Sequence, residues 1–227
     1  MSEKLVVTFY FDLICPWCLI GKRHLRTALK LFQQRHPGVD ISIEWRSHML
    51  LPGTPEHGIP YQEFYEQRLG GKAAVAARRA QVQDAARAAG IEIAFERIKT
   101  MPNTLAAHHL IDCARECGSA RQVDELLDRL FTAYFMDGLN IGDAAVLTAI
   151  AASSGCPTSE IAACLESTQH QRRFFEKLAA TANSQVSGVP FFVFNERLAI
   201  SGAHPPQSLL AAMEQALQPA SAIQQPS

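Results

Sequence analysis

The rhythm of hydrophobic and polar positions changes at each element boundary along the chain. "KLVVTFYFDL", starting at Lys4, is a nearly unbroken run of β-branched, aromatic and aliphatic residues and predicts a buried strand. In "CLIGKRHLRTALKLFQQRHPG" the apolar residues Leu19, Ile20, Leu25, Leu29 and Phe32 recur at helical spacing, and His36-Pro37-Gly38 stops the pattern. "VDISIEWRSHML" then alternates Val39, Ile41, Ile43 and Trp45 against polar neighbours, a second strand. Strand, helix and strand in this order form a βαβ unit, with a parallel, right-handed crossover expected.

The proline- and glycine-rich "LPGTPEHGIP" breaks the pattern, and from Tyr61 to about Asn183 the chain reads as helix throughout. Alanine-rich, amphipathic stretches there recur with Ser, Asp or Asn starts and glycine stops, Asp143 being one expected cap. Strand texture returns in "VPFFVFNERLAISG", two apolar runs about Asn195-Glu196-Arg197, which predicts a hairpin. "PPQSLLAAMEQAL" closes the fold as a helix with proline near its start. The fold class is therefore α/β, a βαβ … ββα core interrupted by an inserted all-helical domain, since neither flank could bury a sheet alone. The expected boundaries are 1–55 and 171–218 for the two halves of the core, 56–170 for the insertion, and 219–227 for a disordered tail.

Composition narrows the function. Lys plus Arg number 21 against 22 for Asp plus Glu, a formal charge of −1, which offers no basic footprint for nucleic acid and no polybasic membrane anchor. No stretch approaches the roughly 20 apolar residues of a membrane span. The first apolar run is short and leads straight into Cys15, unlike a cleavable signal, so a cytoplasmic protein is expected. Disulfides in that compartment are usually transient or catalytic, and six cysteines are too few for a disulfide scaffold.

Cys15 and Cys18 stand in "ICPWCLIG", at the junction of the first strand and the helix it feeds. Unpaired backbone N–H groups and the positive end of the helix dipole stabilise a thiolate at such a position. Cys18 is one turn further in, within reach of a mixed disulfide at Cys15, and Pro16 suits a first turn because it has no N–H to leave unpaired. A structural zinc site would need a second pair at similar spacing, and the other close pair, Cys113 and Cys117, lies within a predicted helix. A redox dithiol is the preferred reading, with a buried core pair as the alternative.

Four segments, "FYFDLICPWCLIGKRHL", "PNTLAAHHL", "DGLNIGDAAVLTAIAASSG" and "SGVPFFVFNERLAISGAHPP", together resemble the FrnE-like branch of the DsbA-type thioredoxin-fold oxidoreductases. The resemblance implies a thioredoxin-like core, Cys15 as nucleophile and Cys18 as resolving cysteine, flanked by Pro16 and Trp17. It implies that Val189-Pro190 is a cis-proline loop beside the dithiol, its backbone free to pair with an extended substrate. Asn103 and Thr104 match a segment near the active site in relatives, together with His108, although Asn103 also reads as a helix cap. Trp17 replaces the histidine of the periplasmic branch, so a less oxidising pair is expected.

The implied activity is thiol–disulfide exchange with disulfide- or thiol-containing proteins, glutathione being a candidate redox partner, in a monomer or homodimer without bound cofactor or metal. The alternative on the same architecture is a glutathione-dependent isomerase or transferase of the 2-hydroxychromene-2-carboxylate isomerase or kappa type, but those carry serine at the position of Cys15. A non-catalytic chaperone or dimerisation module would survive loss of both thiols. His109, Cys113 and Cys117 share one helical face; core packing is the preferred reading and a metal or second redox site the alternative, since i and i+4 on a helix are too far apart for an unstrained disulfide. Cys156 and Cys164 flank a turn and read as structural.

Overall fold

The computed structural model describes residues 3–184 and 186–218. The chain runs β1 (Lys4–Phe11), α1 (Pro16–Arg35), β2 (Asp40–Ser47), β3 (Ile59–Pro60), α2 (Tyr61–Leu69), α3 (Lys72–Ala88) and β4 (Thr100–Met101). It continues with α4 (Leu105–Cys117), α5 (Ala120–Phe135), α6 (Ala144–Ser153), α7 (Thr158–Glu166), α8 (Thr168–Ala182), β5 (Phe191–Phe194), β6 (Leu198–Ser201) and α9 (Pro206–Leu217). The expected tail, 219–227, lies outside the described residues.

The two ends of the chain make one sheet, in the order β2-β1-β5-β6. β1 pairs with β2 in parallel and with β5 antiparallel, Phe9 lying opposite Trp45 on one side and Phe192 on the other. A central strand has no solvated edge, which is why Leu5, Val7, Phe9 and Phe11 have no exposed surface. The Phe9 and Phe192 rings stack at 4.6 Å, holding the N- and C-terminal halves of the core together. The hairpin turn is built on Asn195 and Glu196 at φ of 50° and 56°, the left-handed pair that a two-strand reversal needs. Asn195 also accepts from the backbone N–H of Val6 through its side chain at 2.7 Å.

Gly21 on α1 sets how closely that helix approaches the loop before β5. A Cβ at this position would stand 3.2 Å from Pro190 and 3.2 Å from Phe192. The bare glycine lets α1 settle on the loop and bring its own N-terminus beside it.

The insertion is not helical throughout. Residues 89–104 form an irregular segment that carries β4, paired with β3. Ile91, Ile93 and Phe95 are buried at a spacing of two, extended chain laid on the core, and Ala94 donates to the Phe135 carbonyl instead of to its own turn. Helix α8 crosses the expected boundary at 170/171 and touches β2 as well as α4 and α7. Asp143 caps α6 by accepting from the N–H groups of Ala145 and Val146. Among the described residues no helix is long and apolar enough to cross a membrane.

Candidate active site

Cys15 is the N-cap of α1, in extended conformation, with Pro16 as the first helical residue. Its carbonyl accepts from Cys18 at 3.0 Å, closing a tight first turn that sets the two cysteines on the same side. Across the site the peptide between Val189 and Pro190 is cis. The Cys15 thiol donates to the Val189 carbonyl over 3.5 Å, so residues 174 positions apart meet at the sulfur.

Cys15 is only 4% exposed, yet it is not sealed, because it lines a cavity of about 280 Å³ between the thioredoxin-like core and the helices α2 and α3. Pro16, Trp17 and Val189 line the same cavity. Cys18 has no exposed surface, and burial, reinforced by Cys15 beside it, pushes its thiol well up. One sulfur therefore faces the cavity while its partner waits as a protonated thiol one turn behind.

The sequence reading passed over the far wall. Tyr61, Phe64, Tyr65 and Arg68 on α2, and Val75, Arg78, Arg79 and Val82 on α3, face Cys15 across the cavity. Both sets fall at i, i+3, i+4 and i+7, so each is one helical stripe, and this periodicity was the signal available. The Arg79 guanidinium lies over the Tyr61 and Phe95 rings at 5.3 and 5.6 Å. Burial first, and the nearby Cys15 second, push the Tyr65 phenol up, so it stays a neutral hydroxyl.

Beneath the dithiol lies a fully buried hydrogen-bonded pair, Asp12 Oδ1 and His108 Nε2 at 3.1 Å, with Asp12 Oδ2 accepting from the Leu50 N–H at 2.7 Å. Asp12 also stands close enough for its charge to oppose ionisation of Cys18. His108 thus sits under the site. Asn103 and Thr104 do not line the cavity: Asn103 accepts from the Leu105 N–H at 2.9 Å and donates to the Thr54 carbonyl at 2.5 Å, while Thr104 is buried. The N-cap residue of α4 is thus Thr104 and not Asn103, which stands one residue earlier and ties the helix start to the loop after β2.

Comparison with known proteins agrees with this architecture. The family model described as DSBA-like thioredoxin domain matches residues 6–214. The uncharacterised protein YwbO of Bacillus subtilis is 26% identical over 198 residues, covering 87% of this chain and 90% of its own. The crystal structure of a probable DsbA oxidoreductase from Streptomyces coelicolor superposes with a TM-score of 0.80 at 27% identity, over 93% of this chain and 89% of that one. A 2-hydroxychromene-2-carboxylate isomerase shares the fold, with a TM-score of 0.64 at 16% identity over 92% and 95% of the two chains. A match over nearly the whole chain, in a fold whose two ends meet at one dithiol, leads to a single assignment: this protein belongs to the DSBA-like thioredoxin domain family.

Proposed function

We propose that the chain is a thiol–disulfide oxidoreductase that works through Cys15 and Cys18. The observation that carries this reading is the division of labour between the sulfurs, Cys15 lining the cavity and Cys18 buried one turn behind it. In the reducing direction, Cys15 thiolate attacks a substrate disulfide, forming a Cys15 mixed disulfide and releasing one substrate thiolate. Cys18 then loses its proton and attacks the Cys15 sulfur. The Cys15–Cys18 disulfide forms, the second substrate thiolate leaves, and two electrons have passed to the substrate. The Cys18 proton is taken up by the departing substrate thiolate. In the oxidising direction the same bonds form and break in reverse order. We also assign the protein to the cytoplasm, where such a dithiol is a working pair rather than a staple.

Insulin reduction tests the reading. Cys15→Ser is expected to have no turnover in that assay and to form no adduct in a glutathione-equilibrium experiment. Undiminished turnover would refute the mechanism.

The substrate is either an extended segment docking at Val189 or a small anionic thiol of the glutathione kind. Arg68, Arg78 and Arg79 around an aromatic wall favour the second, and they keep the glutathione-dependent isomerase as the alternative activity. Cysteine rather than serine at position 15 counts against that alternative. Arg78→Ala is expected to raise KM for a glutathione-type substrate about 3- to 5-fold, the worth of about 1 kcal/mol for an exposed charge pair, with kcat unchanged. An equal rise for an uncharged dithiol would exclude a role in reading charge.

A further inference from the structure

We propose a second site, a zinc site that staples α4 to α8, with His109, Cys113 and His170 as its three protein ligands. The ligand atoms of His109, Cys113 and His170 all lie within 4.8 Å of one another. His109 Nε2 stands 3.0 Å from His170 Nδ1, and Cys113 Sγ stands 3.6 Å from the same nitrogen. These separations are close to the edges, roughly 3.3 Å for N···N and 3.6 Å for N···S, of a tetrahedron with Zn–N of about 2.0–2.1 Å and Zn–S of about 2.3 Å. Cys164, on α7, is in hydrogen-bonding reach of Cys113. Two imidazoles and one thiolate supply three corners of a tetrahedron and leave the fourth open, and this donor set suits zinc over harder cations.

The second observation concerns His170 itself. It is 2% exposed, and its Nε2 makes no hydrogen bond among the described residues. That nitrogen lies 3.3 Å from Asp112 Oδ2 and 3.6 Å from Glu116 Oε1. With Nε2 turned toward these two carboxylates, Nδ1 is the ring nitrogen that stands between the Cys113 thiol and the His109 imidazole. A ligating histidine oriented by an outer carboxylate has this arrangement. The carboxylates themselves are occupied: Asp112 by Lys177 at 2.9 Å and Glu116 by Arg173 at 3.0 Å. They are positioned to orient His170 and not to bind the ion.

A relay of hydrogen bonds would account for the contact between the two imidazoles. It leaves unexplained why a buried thiol converges on the same nitrogen, and why α4 and α8 bring three nitrogen and sulfur ligands within 4.8 Å of one another. Zinc entry displaces the Cys113 thiol proton to solvent and changes no oxidation state. None of these three ligands lines the cavity at Cys15, so the test is independent of the exchange reaction.

The experiment uses the full chain, reduced and stripped of metal, in a Cys15→Ser/Cys18→Ser background that silences the dithiol. Zinc alone, in competition with a chromophoric chelator, is expected to bind at one ion per chain. Cobalt is expected to give the visible bands of a tetrahedral thiolate complex. Cys113→Ala and His170→Asn should each weaken zinc by more than the 10- to 100-fold typical of outer-shell changes, and Asp112→Asn by about that amount. The cobalt spectrum needs no substitution in the site, so it stands even where a variant fails to fold. Absence of both binding and bands in the reduced background would overturn the proposal. So would undiminished affinity in His170→Asn.

Discussion

Cys18→Ser is expected to convert the protein into a trap that accumulates as a mixed disulfide at Cys15. Cys15 still lines the cavity and still has its place at the N-cap of α1, so the first attack proceeds. The second attack has lost its sulfur. Serine at the same buried position is a far poorer nucleophile and cannot form a disulfide, so release depends on free thiol reaching a sulfur that is only 4% exposed. Effective concentrations of positioned groups far exceed millimolar thiol, so multiple turnover should fall by roughly a hundredfold or more. The adduct should be visible as a mass increase on the intact chain, removed by dithiothreitol. Wild-type turnover without an adduct would mean that Cys18 is not the resolving group.

What the sequence could reveal of this arrangement depended on distance along the chain. The Cys15-Pro16-Trp17-Cys18 turn was legible because a strand, a junction and a helix start are local patterns within about twenty residues. The order of elements implied a sheet closed by both ends, since two flanks of that size have no other way to bury their apolar faces. The cavity wall was harder. Tyr61, Tyr65 and Arg79 carry helical periodicity, but nothing local says which surface a stripe will face, and an aromatic stripe is usually core. The irregular 89–104 segment falls inside the block from Tyr61 to about Asn183 that reads as helix, although Ile91, Ile93 and Phe95 alternate at a spacing of two. The partner that holds Ala94 between them, the Phe135 carbonyl, lies over forty residues away. The same limit hid the histidine and cysteine cluster: His109 and Cys113 share a turn, while His170 and Cys164 arrive from later helices.

Removing the anions around Lys22 is expected to cost most of the stability at stake in any surface-accessible change. Lys22 lies one turn beyond Cys18 on α1, is 3% exposed, and holds Asp124 and Asp128 of α5 at 2.7 and 2.6 Å. Arg26 pairs with both carboxylates, completing a four-charge cluster that fixes the catalytic helix against the insertion. A buried ammonium left without partners costs about 3–5 kcal/mol. Asp124→Asn/Asp128→Asn should therefore lower Tm by about 6–20 °C for a chain of this size. Adding Lys22→Met should restore much of the loss, because an apolar replacement of the whole buried set is often neutral. Failure of that rescue would show that packing and not charge fixes the α1–α5 contact. Acid should act in the same direction. Burial alone would raise the Asp128 carboxyl, but Lys22 and Arg26 outweigh it and hold it below its ordinary range. Its stabilising contribution is thus complete above the unfolded carboxylate value of about 3.9 and is lost as pH falls below that, through the lowered folded value. Thermal melts between neutral pH and about pH 3 should show the wild type losing its advantage over the double variant, the two curves converging as the carboxylates take up protons. A constant gap across that range would mean that the cluster is not the origin of the stability difference.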